Sequence, residues 1–274
     1  MSNVVSEERL HYLDAMRSIL MILGIVLHSA NVFSDSDWAI QNVDTSVYFS
    51  YLVEVIHLFR MPAFFIVSGF FCHMTLKKTG PHKFANIRLP RIIIPLIITA
   101  LTLNTIQNSI LTNYHLQDIG FSTIDYWTKG LWISHLWFLN CLIYYFSISA
   151  LLYAIIPKLL SRIEKLINTL LNQTKGFFPL ILSIGSIILL KISYIFPDIS
   201  DDYYDAAISD SIQYSIYFIF GIILGTNRKL LLEFVKPKLS IILISILIIS
   251  FLHWWNFENT LVIKVTDAYK FSLL

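Results

Sequence analysis

The sequence predicts an all-α, polytopic integral membrane protein with about seven transmembrane helices. Three observations carry that prediction. The 274 residues are 56% hydrophobic and only 14% charged, where a soluble domain carries about 25% charged residues. The mean hydropathy is +0.66. Seven stretches are long and apolar enough to cross a bilayer, which takes about 20 residues. They lie near 13–33, 48–76, 91–111, 136–156, 177–195, 208–225 and 239–255. The net charge of +2 is too small to point to a nucleic-acid partner.

The first stretch follows Ser6, Glu7 and Glu8. This acidic start, with no small-residue cleavage site after the apolar run, predicts a retained span rather than a signal peptide. The second stretch is longer than one crossing needs, which predicts tilt or a kink, with Pro62 as the kink site. The third opens on Arg88-Leu89-Pro90-Arg91 and Ile94-Pro95, and the fourth on His135-Leu136-Trp137. Lys191 and Asp210 sit at the ends of the fifth and sixth. Cys72 and Cys141 lie inside apolar runs and predict small buried hydrophobes, not a disulfide or metal ligands. The polar segment 161–175 predicts an amphipathic helix or loop between spans four and five.

The connecting segments alternate in charge. Lys77, Lys78, Lys83, Arg88 and Arg91 follow span two. Lys158, Arg162, Lys165 and Lys175 follow span four, and Arg228, Lys229, Lys236 and Lys238 follow span six. The remaining connections carry Asp35, Asp37 and Asp44, then Asp118 and Asp125, then Asp198, Asp201, Asp202 and Asp205, with Lys129 as their one base. Basic loops stay cytoplasmic, so the N-terminus is predicted there too. Trp127, Trp132, Trp254 and Trp255 near span ends match an interfacial aromatic belt.

Ionisable side chains inside spans cost about 2.5–3.5 kcal/mol each, so they are candidates for function. Span one holds Asp14, Arg17 and His28. Helix geometry puts Arg17 and His28 about 20° apart on one stripe, with His28 roughly 16 Å farther toward the outer side. Asp14 lies about 60° from Arg17 and fits an i,i+3 ion pair with it. Glu54, His57 and Arg60 share one face of span two, at a depth that meets His28, or they form an interhelical salt-bridge cluster. Ser68-Gly69 admits close approach of a ligand or of another backbone, the latter being the commoner use. Arg88 and Arg91 suit a phosphate clamp at the cytoplasmic end, or serve topology alone. His135 and Trp137 stand on the outer side as site residues or as interfacial anchors.

These motifs resemble the membrane acyltransferase 3 family. The resemblance rests on Arg17 and His28 after Leu13-Asp14-Ala15-Met16, on Phe64-Phe65-Ile66-Val67-Ser68-Gly69, and on Arg88, Arg91 and Pro95. It extends to Ser36-Asp37-Trp38, His57-Leu58-Phe59-Arg60-Met61 and Ser134-His135-Leu136-Trp137-Phe138-Leu139. It implies that residues 1–274 form one acyltransferase membrane domain in a bacterial inner membrane. It also implies transfer of a succinyl or other acyl group from acyl-CoA, succinyl-CoA above all, to hydroxyls of a periplasmic glucan, alongside the glucan-synthesis machinery. Family members have about ten spans, so the chain is expected to be short at its C-terminal end.

On that reading His28 is the general base and Glu54 its orienting partner, with Asp35 or Asp37 as alternatives. Arg60, His57 or Ser68 supplies donors to the developing oxyanion. Asp14, Arg17, Ser68, Gly69, Arg88, Arg91, Trp38, His135 and Trp137 bind donor or acceptor. Two other functions fit the same residues: a transporter or channel subunit whose ionisable groups line a path, and an inactive fragment of the enzyme.

Overall fold

The computed structural model describes residues 11–35, 41–113, 123–173, 184–186, 188–189 and 203–226. Its helices are α1 (His11–Asn31), α2 (Val47–Thr79), α3 (Pro81–Arg88), α4 (Pro90–Thr99), α5 (Thr105–Asn113), α6 (Thr123–Thr128), α7 (Trp137–Ile155), α8 (Pro157–Gln173) and α9 (Tyr203–Thr226). A π-helical turn, Ala100–Asn104, joins α4 to α5, and a 3-10 turn, Ser134–Leu136, leads into α7. The described regular structure is all helical.

Among the described residues, five stretches are long and apolar enough to span a membrane: Tyr12–Asn31, Val47–Thr79, Pro81–Ile110, Trp137–Ile155 and Ala207–Thr226. They correspond to predicted spans one, two, three, four and six. Of the other two, 177–195 lies mostly outside the described residues and 239–255 entirely so. Seven spans are therefore not reached among the described residues. The third helical stretch also starts ten residues earlier than predicted, at Pro81 rather than Arg91.

The central element is α2. It runs unbroken through Pro62 for 33 residues, about 50 Å at 1.5 Å per residue. Gly80 stops it with a left-handed φ of +78°, its N–H donating to the Leu76 carbonyl at 2.9 Å. Pro81 then opens α3, where its missing donor costs nothing.

The tightest crossing is between α2 and α9. A Cβ on Gly69 would overlap the Phe218 carbonyl oxygen, and one on Gly221 would overlap the Ile66 carbonyl oxygen. One turn on, a Cβ on Gly225 would meet the Phe70 carbonyl oxygen at 3.2 Å. Gly221 and Gly225 form a small-xxx-small pair, which lets two helix backbones approach closely in lipid. Of the two readings of Gly69, backbone packing is the one realised. Around this crossing, Phe65, Tyr145, Phe146, Tyr214 and Phe218 make a buried aromatic core. Cys72 and Cys141 are free and buried within it, as expected.

The polar segment after span four is the helix α8. Glu164 anchors it by accepting hydrogen bonds from Lys77 Nζ at 3.0 Å and Tyr153 Oη at 2.6 Å. His73 Nδ1 lies 2.8 Å from the same Tyr153 oxygen and 3.7 Å from Glu164. Thr226 at the end of α9 donates to Asn168 at 3.1 Å.

Partial burial alone would raise the Glu164 pKa. The hydrogen bonds from Tyr153 and Lys77, with the charges of Lys77 and His73, outweigh it and hold the carboxyl below its ordinary 4.5.

Two outcomes are expected. Gly221→Val forces α9 off α2 and lowers stability by about 1–3 kcal/mol, read as a fall in thermal midpoint of the purified protein. The lowered Glu164 pKa contributes stability that is complete above the ordinary carboxyl value and lost as pH falls through the folded value. Glu164→Gln should therefore flatten the loss of thermal stability below about pH 4.5. Parallel acid curves for the two proteins would sink that assignment.

Candidate active site

A cavity of about 720 Å³ opens between α1, α2, α4 and α7. At one end it is lined by Asp14, Arg17 and Ser18 from the start of α1 and by Arg88 and Arg91 from the start of the third span. The other walls are Phe64 and Ser68 of α2 and Phe138, Leu139, Leu142 and Phe146 of α7. Five predicted binding residues, Asp14, Arg17, Ser68, Arg88 and Arg91, thus come together on one cavity.

The three arginines crowd one another, since Arg17 and Arg91 both act electrostatically on Arg88. Arg88 Nη2 donates to Thr75 Oγ1 at 3.0 Å. The Arg17 guanidinium sits 5.4 Å from the centre of the Phe71 ring, a cation–π contact. The i,i+3 pair of Arg17 with Asp14 is not formed. None of the three arginines belongs to an ion pair among the described residues. Converging guanidinium groups of this kind are a seat for phosphate or carboxylate.

Farther along the same helix faces lies a second cluster. Lining residues Phe64 and Ser68 follow Arg60 at steps of four, so one stripe of α2 runs from the cavity to Arg60. On α1 the lining residue Met21 leads at i+3 to Gly24, and Gly24 at i+4 to His28. The Arg60 guanidinium rests directly on α1, because a Cβ on Gly24 would meet its Nη1 at 2.5 Å. Arg60 and His135 both act electrostatically on His28, and Arg60 and His28 on His57. The rings of His28 and His135 are 6.5 Å apart, edge to face at 67°. His28, His57, Arg60 and His135 are all half-buried.

The π-helical turn fixes the segment that carries His135. At its start the Ala100 carbonyl accepts from Thr105 Oγ1 at 2.8 Å and from Tyr126 Oη at 3.0 Å. Asn104, buried in the same turn, donates to the Trp132 carbonyl at 2.8 Å. Burial lowers the His135 pKa, so its imidazole is neutral at pH 7.

The other predicted residues fall elsewhere. Glu54 occupies an exposed position on α2, unlike the half-buried His57 and Arg60, and does not join the cluster. Asp35 bonds Ser50 through its backbone N–H at 3.0 Å and is exposed. Gly69 faces α9 rather than the cavity. Trp137 packs between Tyr214 at 5.3 Å and Phe65 at 6.3 Å, inside the aromatic core. Trp38 and Asp37 lie outside the described residues.

Sequence reasoning missed two supports of this cluster. Gly24 is one turn before His28, a spacing that marks it as the place on α1 where another side chain can lie flat. Tyr214 acts on Arg60 from α9, and a contact between helices so distant in sequence leaves no local signal.

Replacing Asn104 with Ala should cost about 1–2 kcal/mol of stability by leaving the Trp132 carbonyl unpaired. Amide hydrogen exchange across 131–136, read by mass spectrometry, should speed up. Unchanged exchange would mean the His135 segment is held by other contacts.

Comparison with known proteins agrees in kind. A family profile described as an acyltransferase domain matches residues 10–274. Glucans biosynthesis protein C of Escherichia coli strain K12 is 32% identical over 90 residues, which is 33% of this chain and 23% of that protein. The protein of the same name from Escherichia coli O1:K1 / APEC matches with the same identity and coverage. The matched segment is thus under a quarter of those relatives' length. No solved structure matches the chain.

Proposed function

The chain belongs to the acyltransferase 3 family, and from that premise we propose that it is a membrane O-acyltransferase. It moves a succinyl or other acyl group from acyl-CoA, bound at the cytoplasmic end of the bundle, to a hydroxyl of a periplasmic glucan. The observation that carries the reading is the continuous stripe from the three-arginine cavity to the His28–Arg60–His135 cluster. The glucan acceptor and the glucan-synthesis machinery as partner are supported by the name of the matched relatives. The basic loops support an inner-membrane protein with a cytoplasmic N-terminus.

In this mechanism the CoA phosphates lie against Arg17, Arg88 and Arg91, where bidentate guanidinium contacts are strongest. The pantetheine arm runs along the apolar wall of Phe64, Phe138 and Leu142. It spans the roughly 16 Å between the levels of Arg17 and His28. The thioester carbonyl then lies beside His28, and the glucan hydroxyl approaches from the outer side.

His28 accepts the hydroxyl proton as the oxygen attacks the thioester carbonyl. The tetrahedral oxyanion forms next to the Arg60 guanidinium, whose charge is already in place. Collapse expels the CoA sulfur, which takes the proton from His28 and leaves as the thiol. Gly24 matters because it lets Arg60 lie against α1 within reach of His28. His57 and His135 enclose the pair, and Asp14 and Ser68 line the donor passage.

Two variants test the division of labour. His28→Ala should abolish acyl transfer to glucan, with CoA release measured by thiol assay, while membrane insertion is unchanged. Arg88→Gln should raise the KM for acyl-CoA by about tenfold, the loss of one charge-assisted hydrogen bond, with kcat nearly preserved. Full transfer by His28→Ala would overturn the mechanism.

A further inference from the structure

α8 is separated from α7 by Ile156 alone, so it leaves the bundle at the level where α7 ends. Its bonds to Lys77 near the end of α2 and to Thr226 at the end of α9 fix it to two more span ends. Three span termini therefore hold α8 at one surface of the bilayer.

At about 100° per residue, α8 has three distinct faces. Leu160, Glu164, Ile167 and Asn168 share an arc of about 100° and are half-buried against the bundle. Leu159, Ile163 and Leu166 form a second stripe, 49, 40 and 62% exposed. Lys158, Arg162 and Lys165 form a third, all of them exposed. The apolar stripe is centred about 120° from the bundle face, and the basic stripe about 100° beyond it.

This three-way division fits one environment. On a helix held at the bilayer surface, the exposed apolar stripe turns toward acyl chains. The basic stripe then points sideways, away from the bundle, at the depth of lipid phosphates. Lys and Arg stems extend along the apolar layer while their charged ends reach the headgroups. Amphipathic helices that lie in the interface share this pattern of an apolar face flanked by basic residues.

We propose that α8 is a docking site for anionic phospholipids, with Lys158, Arg162 and Lys165 binding headgroup phosphates and Leu159, Ile163 and Leu166 resting on their acyl chains. The bound lipid presses α8 onto the Glu164 contacts with α2 and α7. The lipid site is separate from the acyl-transfer residues and does not depend on that reaction.

The test uses the full chain in lipid nanodiscs and spin-labelled lipids. Phosphatidylglycerol should associate with the wild-type protein more strongly than phosphatidylcholine. Neutralising Lys158→Gln, Arg162→Gln and Lys165→Gln should each reduce that preference by about fivefold. An equal preference in wild-type and triple-variant protein would overturn the proposal. Displacement of phosphatidylglycerol by millimolar inorganic phosphate would reassign the site to free phosphate and overturn it as well. In Leu166→Trp, the added fluorescence should be quenched by brominated acyl chains. Absence of quenching would mean that protein or water covers the stripe, and the proposal would fall.

Discussion

The crossing of α2 over α9 at Gly69 and Gly221 is the contact on which the rest of the structure depends. Helices surrounded by lipid gain nothing from hiding apolar side chains, since the solvent is equally apolar. What holds them is close packing, and packing is closest where neither backbone carries a side chain. Fixing α9 against one face of α2 leaves the other faces to α1 and α7. Phe65 shows the result, touching Tyr214 on α9 at 5.3 Å and Tyr145 on α7 at 5.6 Å. The cavity borders this core and shares Phe146 with it as a wall.

Charge is then distributed by depth. One cationic level, Arg17, Arg88 and Arg91, sits where the first and third spans begin. A second, with Arg60 at its centre, lies about one turn beyond the end of the cavity on α2. Between them the walls are aromatic and aliphatic. An acyl thioester has the matching order of groups: a polyanionic nucleotide, a flexible and mostly neutral arm, and a reactive carbonyl. The two levels cannot neutralise each other, so each favours a negative group brought by a ligand.

Much of this was legible in the chain because a bilayer imposes a simple rule. A span must be apolar for about 20 residues, and four predicted spans agree with the observed helices to within three residues at each end. The helical stripe of Arg17 and His28 followed from the same periodicity. Where the structure places a candidate residue apart from the cluster, the reason is physical. Glu54 shares a face with Arg60 by the i, i+3, i+6 count, yet each step of three falls about 60° short of a full turn, so the two lie about 120° apart around the helix, and Glu54 is exposed. Trp137 suggests a ligand contact by sequence because aromatic side chains serve cores and sugar sites alike. Its partner Tyr214 is 77 positions away in the chain, and no local pattern joins them.

The π-helical turn at Ala100–Asn104 has a consequence of phase. A π turn takes up one residue more than the α ladder around it, so every side chain after it is indexed one position later than simple counting predicts. The half of the third span that follows the turn keeps its own facing because that extra residue is absorbed inside the turn. The hydroxyls of Thr105 and Tyr126, both donating to the Ala100 carbonyl, hold the turn in place. The chain there behaves like a screw with one skipped thread: its two halves advance along the same axis but are cut to different starting angles. The loop bearing His135 is bolted to that mismatch.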